Sequence, residues 1–133
     1  MLESDELDRE LSSDYFRSHQ IPYTFLKHSN EVIPFLNQSE HLPALILLAM
    51  NSLPENGLNV LKQIKTNDDL RHLPVIILGE DTQPELIKEC YANGVNTFIN
   101  KPFSDRLTDF TIKNFLYYWF EIAQLSQENK TMA

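Results

Sequence analysis

Few side chains in this sequence have the type and spacing to do chemistry, and most of those are acids. Glu3-Ser4-Asp5-Glu6 near the start is acidic with one hydroxyl, a setting that repels phosphate. Glu55, Glu80 and Asp81 are further acids, read most simply as solvated loop charges. The apolar run Ala44-Leu45-Ile46-Leu47-Leu48 leads into Ala49 and Met50, neither of which can act as an acid or a nucleophile. Lys101 stands before Pro102. His19, His28, His41 and His72 are scattered, without metal-ligand spacing. Cys90 is the only cysteine. It excludes an internal disulfide framework, suits a reducing compartment, and reads as a small buried hydrophobe.

The elements that must position these groups alternate in a βα rhythm, which points to a parallel sheet covered by helices. Leu7, Leu11 and Tyr15 recur every four residues and make Asp5–His19 an amphipathic helix. Tyr23–Leu26 reads as a short strand entered through Pro22, and Glu31–Asn37 as a helix. Ala44–Leu48 and Pro74–Leu78 are continuous apolar runs that suit the middle of a parallel sheet. Asn56-Gly57 supplies a turn before a helix whose inner face is Leu58, Leu61 and Ile64. Pro84 opens the next helix and Asn93-Gly94 closes it. Val95–Asn100 is the last strand, and Ser104 or Asp105 caps a final helix running to about Leu125. The expected organisation is one domain, 1–125, with a polar tail at 126–133.

The stretch LILLAMNSLPENG at 45–57, with Ile99-Asn100-Lys101-Pro102-Phe103 near the other end, resembles the receiver domain of bacterial two-component response regulators. The likeness runs from Leu2 to about Leu125. It implies a three-layer α/β/α flavodoxin-like (CheY-like) fold with a parallel five-stranded sheet, order 2-1-3-4-5. The first strand would be central, yet only Met1-Leu2-Glu3-Ser4 precedes the first helix. That strand is expected to be short or truncated, the favoured reading being that part of it lies upstream of Met1.

In receivers the third strand ends in an aspartate that takes a phosphoryl group. Counting back eight positions from Gly57 puts that place at Ala49; counting back four from Pro54 puts it at Met50. Neither residue has an oxygen to phosphorylate. Two acids after the first strand normally hold Mg²⁺, an ion that demands oxygen ligands. Glu3 and Ser4 match them, so magnesium binding is expected to be weak or absent and no other cofactor is implied. The hydroxyl residue that ends the fourth strand is matched by Gly79, while Lys101 and Pro102 match the family's lysine and proline, whose bond the resemblance implies to be cis. Without a phosphoryl group, Lys101 is free to pair with Glu3. The acceptor, one acid and the hydroxyl are gone together, the pattern of a degenerate, or pseudo-, receiver that has given up phosphotransfer.

Two features remain to signal with. Phe98 matches the family's mobile aromatic, and with Gly79 beside it the ring is expected to rest inward. The final helix carries apolar side chains all round: Ile112, Leu116, Trp119 and Ala123 form one stripe, Phe115, Tyr118, Ile122 and Leu125 another. One stripe covers the sheet and the other is left to dock a partner, with Phe115, Tyr118, Trp119 and Ile122 as anchors. The function expected is a phosphorylation-independent protein-interaction module, not an enzyme, that engages a histidine kinase or phosphotransfer protein and forms a homodimer. The alternative is a phosphoacceptor that uses Glu55, Glu80 or Asp81. A net charge of −8 argues against nucleic acid, and no apolar run nears the ~18 residues that span a bilayer, so a cytoplasmic setting is expected. A flavodoxin-type cofactor site is disfavoured by the acidic run at Glu3.

Overall fold

The computed structural model describes residues 1–100 and 105–124, with the side chains of 105–109 and 112 outside that description. Three strands, β1 (Ile46–Ala49), β2 (Val75–Gly79) and β3 (Thr97–Asn100), form a parallel sheet in the order β1-β2-β3. Both apolar runs read from the sequence are therefore strands, and all nine residues of β1 and β2 are buried.

Among the described residues the regular sheet has three strands. What would be the two further strands are reduced to single bridges. Leu2 lies between Leu26 on one side and Leu48 on the other, parallel to both. Its N–H donates to the Leu47 carbonyl at 2.8 Å and the Ala49 N–H donates back to the Leu2 carbonyl at 2.9 Å. On the other flank, the Glu3 N–H reaches the Leu26 carbonyl and the Leu26 N–H reaches that of Met1. Tyr23–Leu26 thus pairs through one residue instead of forming a strand. So few ladder bonds give no regular strand, but they place Glu3 and Ser4 at the same sheet edge as Ala49.

Side chains alternate between two cores, as the pleat requires. Ile46, Leu48, Val75 and Ile77 face α2 (Val32–Gln38), α3 (Gly57–Lys65) and α4 (Pro84–Ala92). Leu45, Leu47, Ile76 and Leu78 face α1 (Glu6–Ser18) and α5 (Asp105–Tyr117). Helices on both sides of one sheet give the three-layer α/β/α arrangement. Among the described residues no helix is long and apolar enough to cross a membrane.

Local signals explain most helix ends. The Asp5 carboxylate caps α1 by accepting from the Asp8 N–H. Asn56 caps α3 by accepting from the Asn59 N–H, so Asn56-Gly57 is a helix start instead of a free turn. Pro84 begins α4, and Gly94 takes φ +93° just beyond its C-cap Asn93. The final helix departs from its expected course. It changes at Tyr118 to a five-residue π-helix, Tyr118–Ile122, closed by the Ala123 N–H on the Tyr118 carbonyl at 2.7 Å. The expected caps at Ser104 and end at Leu125 lie outside the described residues.

Candidate functional site

At the carboxyl end of β1 a pocket of about 280 Å³ is lined by Glu3, Ser4, Asp5, Asp8, Ala49, Asn51, Leu78 and Glu80. The bridges of Leu2 bring the first four of these beside Ala49, the last residue of β1. Glu3 is buried; its Oε2 accepts from the Asp5 N–H at 3.2 Å, and its backbone carbonyl accepts from the Arg9 guanidinium at 2.9 Å. Ser4 Oγ donates to the Lys27 carbonyl at 2.8 Å.

Ala49 and Met50, left as alternatives by motif counting, go to different places. Ala49 lines the pocket, whereas Met50 is buried in the core among α2, α3 and α4. Gly79 closes β2, with its N-terminal neighbour Leu78 forming part of the pocket wall. The substitute acids separate in the same way. Glu80 lines the pocket, but Glu55 and Asp81 do not, and the Glu55 carboxylate instead accepts from the Gln63 amide at 2.8 Å. The loop that carries Glu55 is tied down from outside: Ser29 donates its N–H to the Leu53 carbonyl, and its Oγ accepts from the Glu55 N–H, both at 2.8 Å. Lys101 and Pro102 lie outside the described residues; among the rest, the cis peptide is Leu53–Pro54.

Asp8 went unnoticed in the sequence. It is a buried acid in the pocket wall, one turn after the Asp5 cap. Its spacing of three from Asp5 was the available signal, since residues three apart share a helix face. At the expected magnesium position Glu3 accepts a backbone N–H with one oxygen, Ser4 turns its hydroxyl to Lys27, and Ala49 has no side-chain oxygen. Among the described residues no group of three or more His, Cys, Asp or Glu is arranged to hold a metal.

The final helix sorts its residues differently from the two stripes read in the sequence. Phe115 is only 8% exposed and packs with the fully buried Leu116 against the sheet, so it is corrected from docking anchor to core. Trp119 and Phe120 are half-buried on the same cluster, and Phe120 meets Phe16 edge-on at 6.1 Å. Tyr118 and Ile122 remain exposed, at 52% and 60%, and are joined by Phe110 and Tyr117. Phe98 is half-buried against the α2–α4 core.

The sequence model of the response regulator receiver domain matches residues 2–110. The chain belongs to that family. This receiver is 32% identical over 117 residues to the polar-differentiation response regulator DivK of Brucella anthropi, covering 87% of this chain and 93% of DivK. It is 33% identical over 78 residues to the probable methanogenesis regulatory protein FilR2 of Methanothrix harundinacea, and this stretch covers 59% of the chain and half of FilR2. Its fold matches the crystal structure of the phosphorylated cyanobacterial phytochrome response regulator RcpA with a TM-score of 0.87, over 95% of each chain at 24% identity. The receiver is therefore a CheY-like α/β domain of two-component signalling, a signalling module of the kind that meets histidine kinases or phosphotransfer proteins.

Proposed function

We propose that this receiver is a degenerate one, acting in two-component signalling as a phosphorylation-independent protein-interaction module. The observation that supports this most is Ala49: it ends β1 inside the pocket with a methyl group where the phosphoacceptor is expected. Phosphoryl transfer depends on a nucleophile, a metal and charge-neutralising donors held together. Here Ser4 and Gly79 weaken two more of those positions, so a single lost oxygen is not the whole change. Lys101 is proposed to pair with Glu3 as a structural remnant of the site. Docking falls to the end of the final helix, where Tyr118 and Ile122 are joined by Phe110 and Tyr117; the occupants proposed are a histidine kinase or phosphotransfer protein and, for self-association, a second copy. Incubation with acetyl phosphate and Mg²⁺ followed by intact-mass measurement is expected to leave the mass unchanged, and a gain of one phosphoryl group would overturn the proposal.

One observation favours a second reading. Glu80 lines the same pocket, unlike Glu55 and Asp81, and is the substitute acid best placed to accept a phosphoryl group. Phosphorylation mapped to the peptide carrying Glu80, and lost in Glu80→Gln, would establish it.

A further inference from the structure

Gly79 has no side chain, yet the space a side chain would occupy is full. A Cβ built on it would collide with Thr82 Oγ1 and stand 2.7 Å from Phe98 Cζ and 3.1 Å from Phe98 Cε1. The first two approaches are closer than Cβ atoms ordinarily come, so a methyl at position 79 must displace a hydroxyl, a ring, or both. The backbone is not the reason for the glycine, because Gly94, not Gly79, takes a positive φ.

Each occupant belongs to a segment with a constraint of its own. Thr82 follows Asp81, which adopts φ +48°, a left-handed conformation that Asp tolerates better than most side chains. Phe98 is fixed through its backbone: its N–H donates to the Tyr91 hydroxyl of α4 at 3.0 Å. Its ring lies half-buried against the core that contains Ile77 and Cys90. Strand β3 and the loop after β2 thus meet over one glycine, and α4 tethers β3 through Tyr91.

We propose that Gly79, Thr82 and Phe98 form a latch that holds the loop after β2 against the β3 edge. Closely packed groups switch between discrete arrangements instead of deforming gradually. Any side chain at position 79 is therefore a wedge that opens the latch, and glycine keeps it shut. The latch does not rest on the phosphorylation-independent reading, since it is argued from the packing over Gly79 alone.

The test is Gly79→Ala in the full chain, read by amide hydrogen exchange at Phe98 and by the ¹⁹F signal of a fluorinated phenylalanine at that position, assigned with Phe98→Leu. In the parent protein one ring signal is expected, poorly reached by a soluble paramagnetic quencher. In Gly79→Ala the ring signal is expected to shift and become quenchable, and the Phe98 amide to exchange at least tenfold faster. Ring signal and exchange within twofold of the parent would overturn the latch. Should Gly79→Ala fail to fold, Gly79→Ala combined with Thr82→Ala and Phe98→Leu decides: removal of both occupants is expected to restore folding, and continued failure would overturn the proposal.

Discussion

Gly57 lies directly over Ala49: a Cβ on the glycine would stand 2.8 Å from the Ala49 carbonyl oxygen and 3.1 Å from Met50 Cα. The first turn of α3 therefore sits on the backbone that carries the pocket. The contact is made to main chain, which cannot swing away as a flexible side chain would. Gly57→Ala is expected to lower stability by about 1–2 kcal/mol, an overpacking cost of about 1–3 partly offset by alanine's better helix propensity. Urea unfolding measures it; an unchanged or raised midpoint would show that α3 can move off Ala49.

Ala49→Asp would put a carboxylate into a pocket already lined by Glu3, Asp5, Asp8 and Glu80. Burial and like charges raise the folded-state pKa of a new acid above its unfolded value. The penalty is then full above the folded pKa, shrinks as pH falls, and vanishes below the unfolded pKa. A loss of about 1–3 kcal/mol at neutral pH is expected, one to two pK units' worth. Urea unfolding of the variant and parent at neutral and mildly acidic pH checks it: the gap should narrow in acid, and a constant gap would mean that the acid points away from the others.

The final helix divides into a packed side and an exposed side, and substitutions separate them. Leu116→Ala, in the core with Leu45, Leu47 and Ile76, is expected to cost about 2–5 kcal/mol. Tyr118→Ser and Ile122→Ser, on the exposed side, should change stability by less than about 0.5 kcal/mol. If a second copy docks there, the pair should shift the mass read by light scattering from dimer to monomer. A dimer that survives both substitutions would place the contact elsewhere.

Lys65 ties the end of α3 to the following loop, its ammonium donating to the carbonyls of Leu73 at 2.8 Å and Arg71 at 3.1 Å. Burial pushes its pKa below the ordinary lysine value of 10.5. The unfolded chain then binds this proton more tightly, so this residue's contribution makes stability rise with pH between the folded value and 10.5, and is flat at lower pH. Lys65→Met should remove that alkaline rise and, by losing the two bonds, cost about 1 kcal/mol at neutral pH. Parallel unfolding curves for parent and variant across the alkaline range would refute the assignment.

Much of the fold is legible in the residues because its signals are local. Short continuous apolar runs suit buried strands of a parallel sheet, so β1 and β2 stand out. Pro84 and Gly94 mark α4 by their backbone constraints alone. That Ala49 has no side-chain oxygen is legible for the same reason, since no fold can supply alanine with one. The sheet's missing strands are harder to see, because bridges at Leu2 and Leu26 depend on partners in distant segments and leave no pattern in so few residues.

The site followed the same division. By itself the sequence determined which groups are present near the pocket: Glu3, Ser4 and Ala49, with Gly79 ending the neighbouring strand. Only the tertiary structure decided where each one points. It sent Ala49 to the pocket and Met50 to the core, added Asp8 and Glu80 to the wall, and left Glu55 outside. It buried Phe115 and exposed Tyr118 where an α-helical stripe had grouped them, the helix changing to a π-turn at Tyr118. It also filled the space over Gly79 with Thr82 and Phe98. Chemical identity belongs to each residue alone, but the direction of a side chain depends on how segments far apart in the chain pack together.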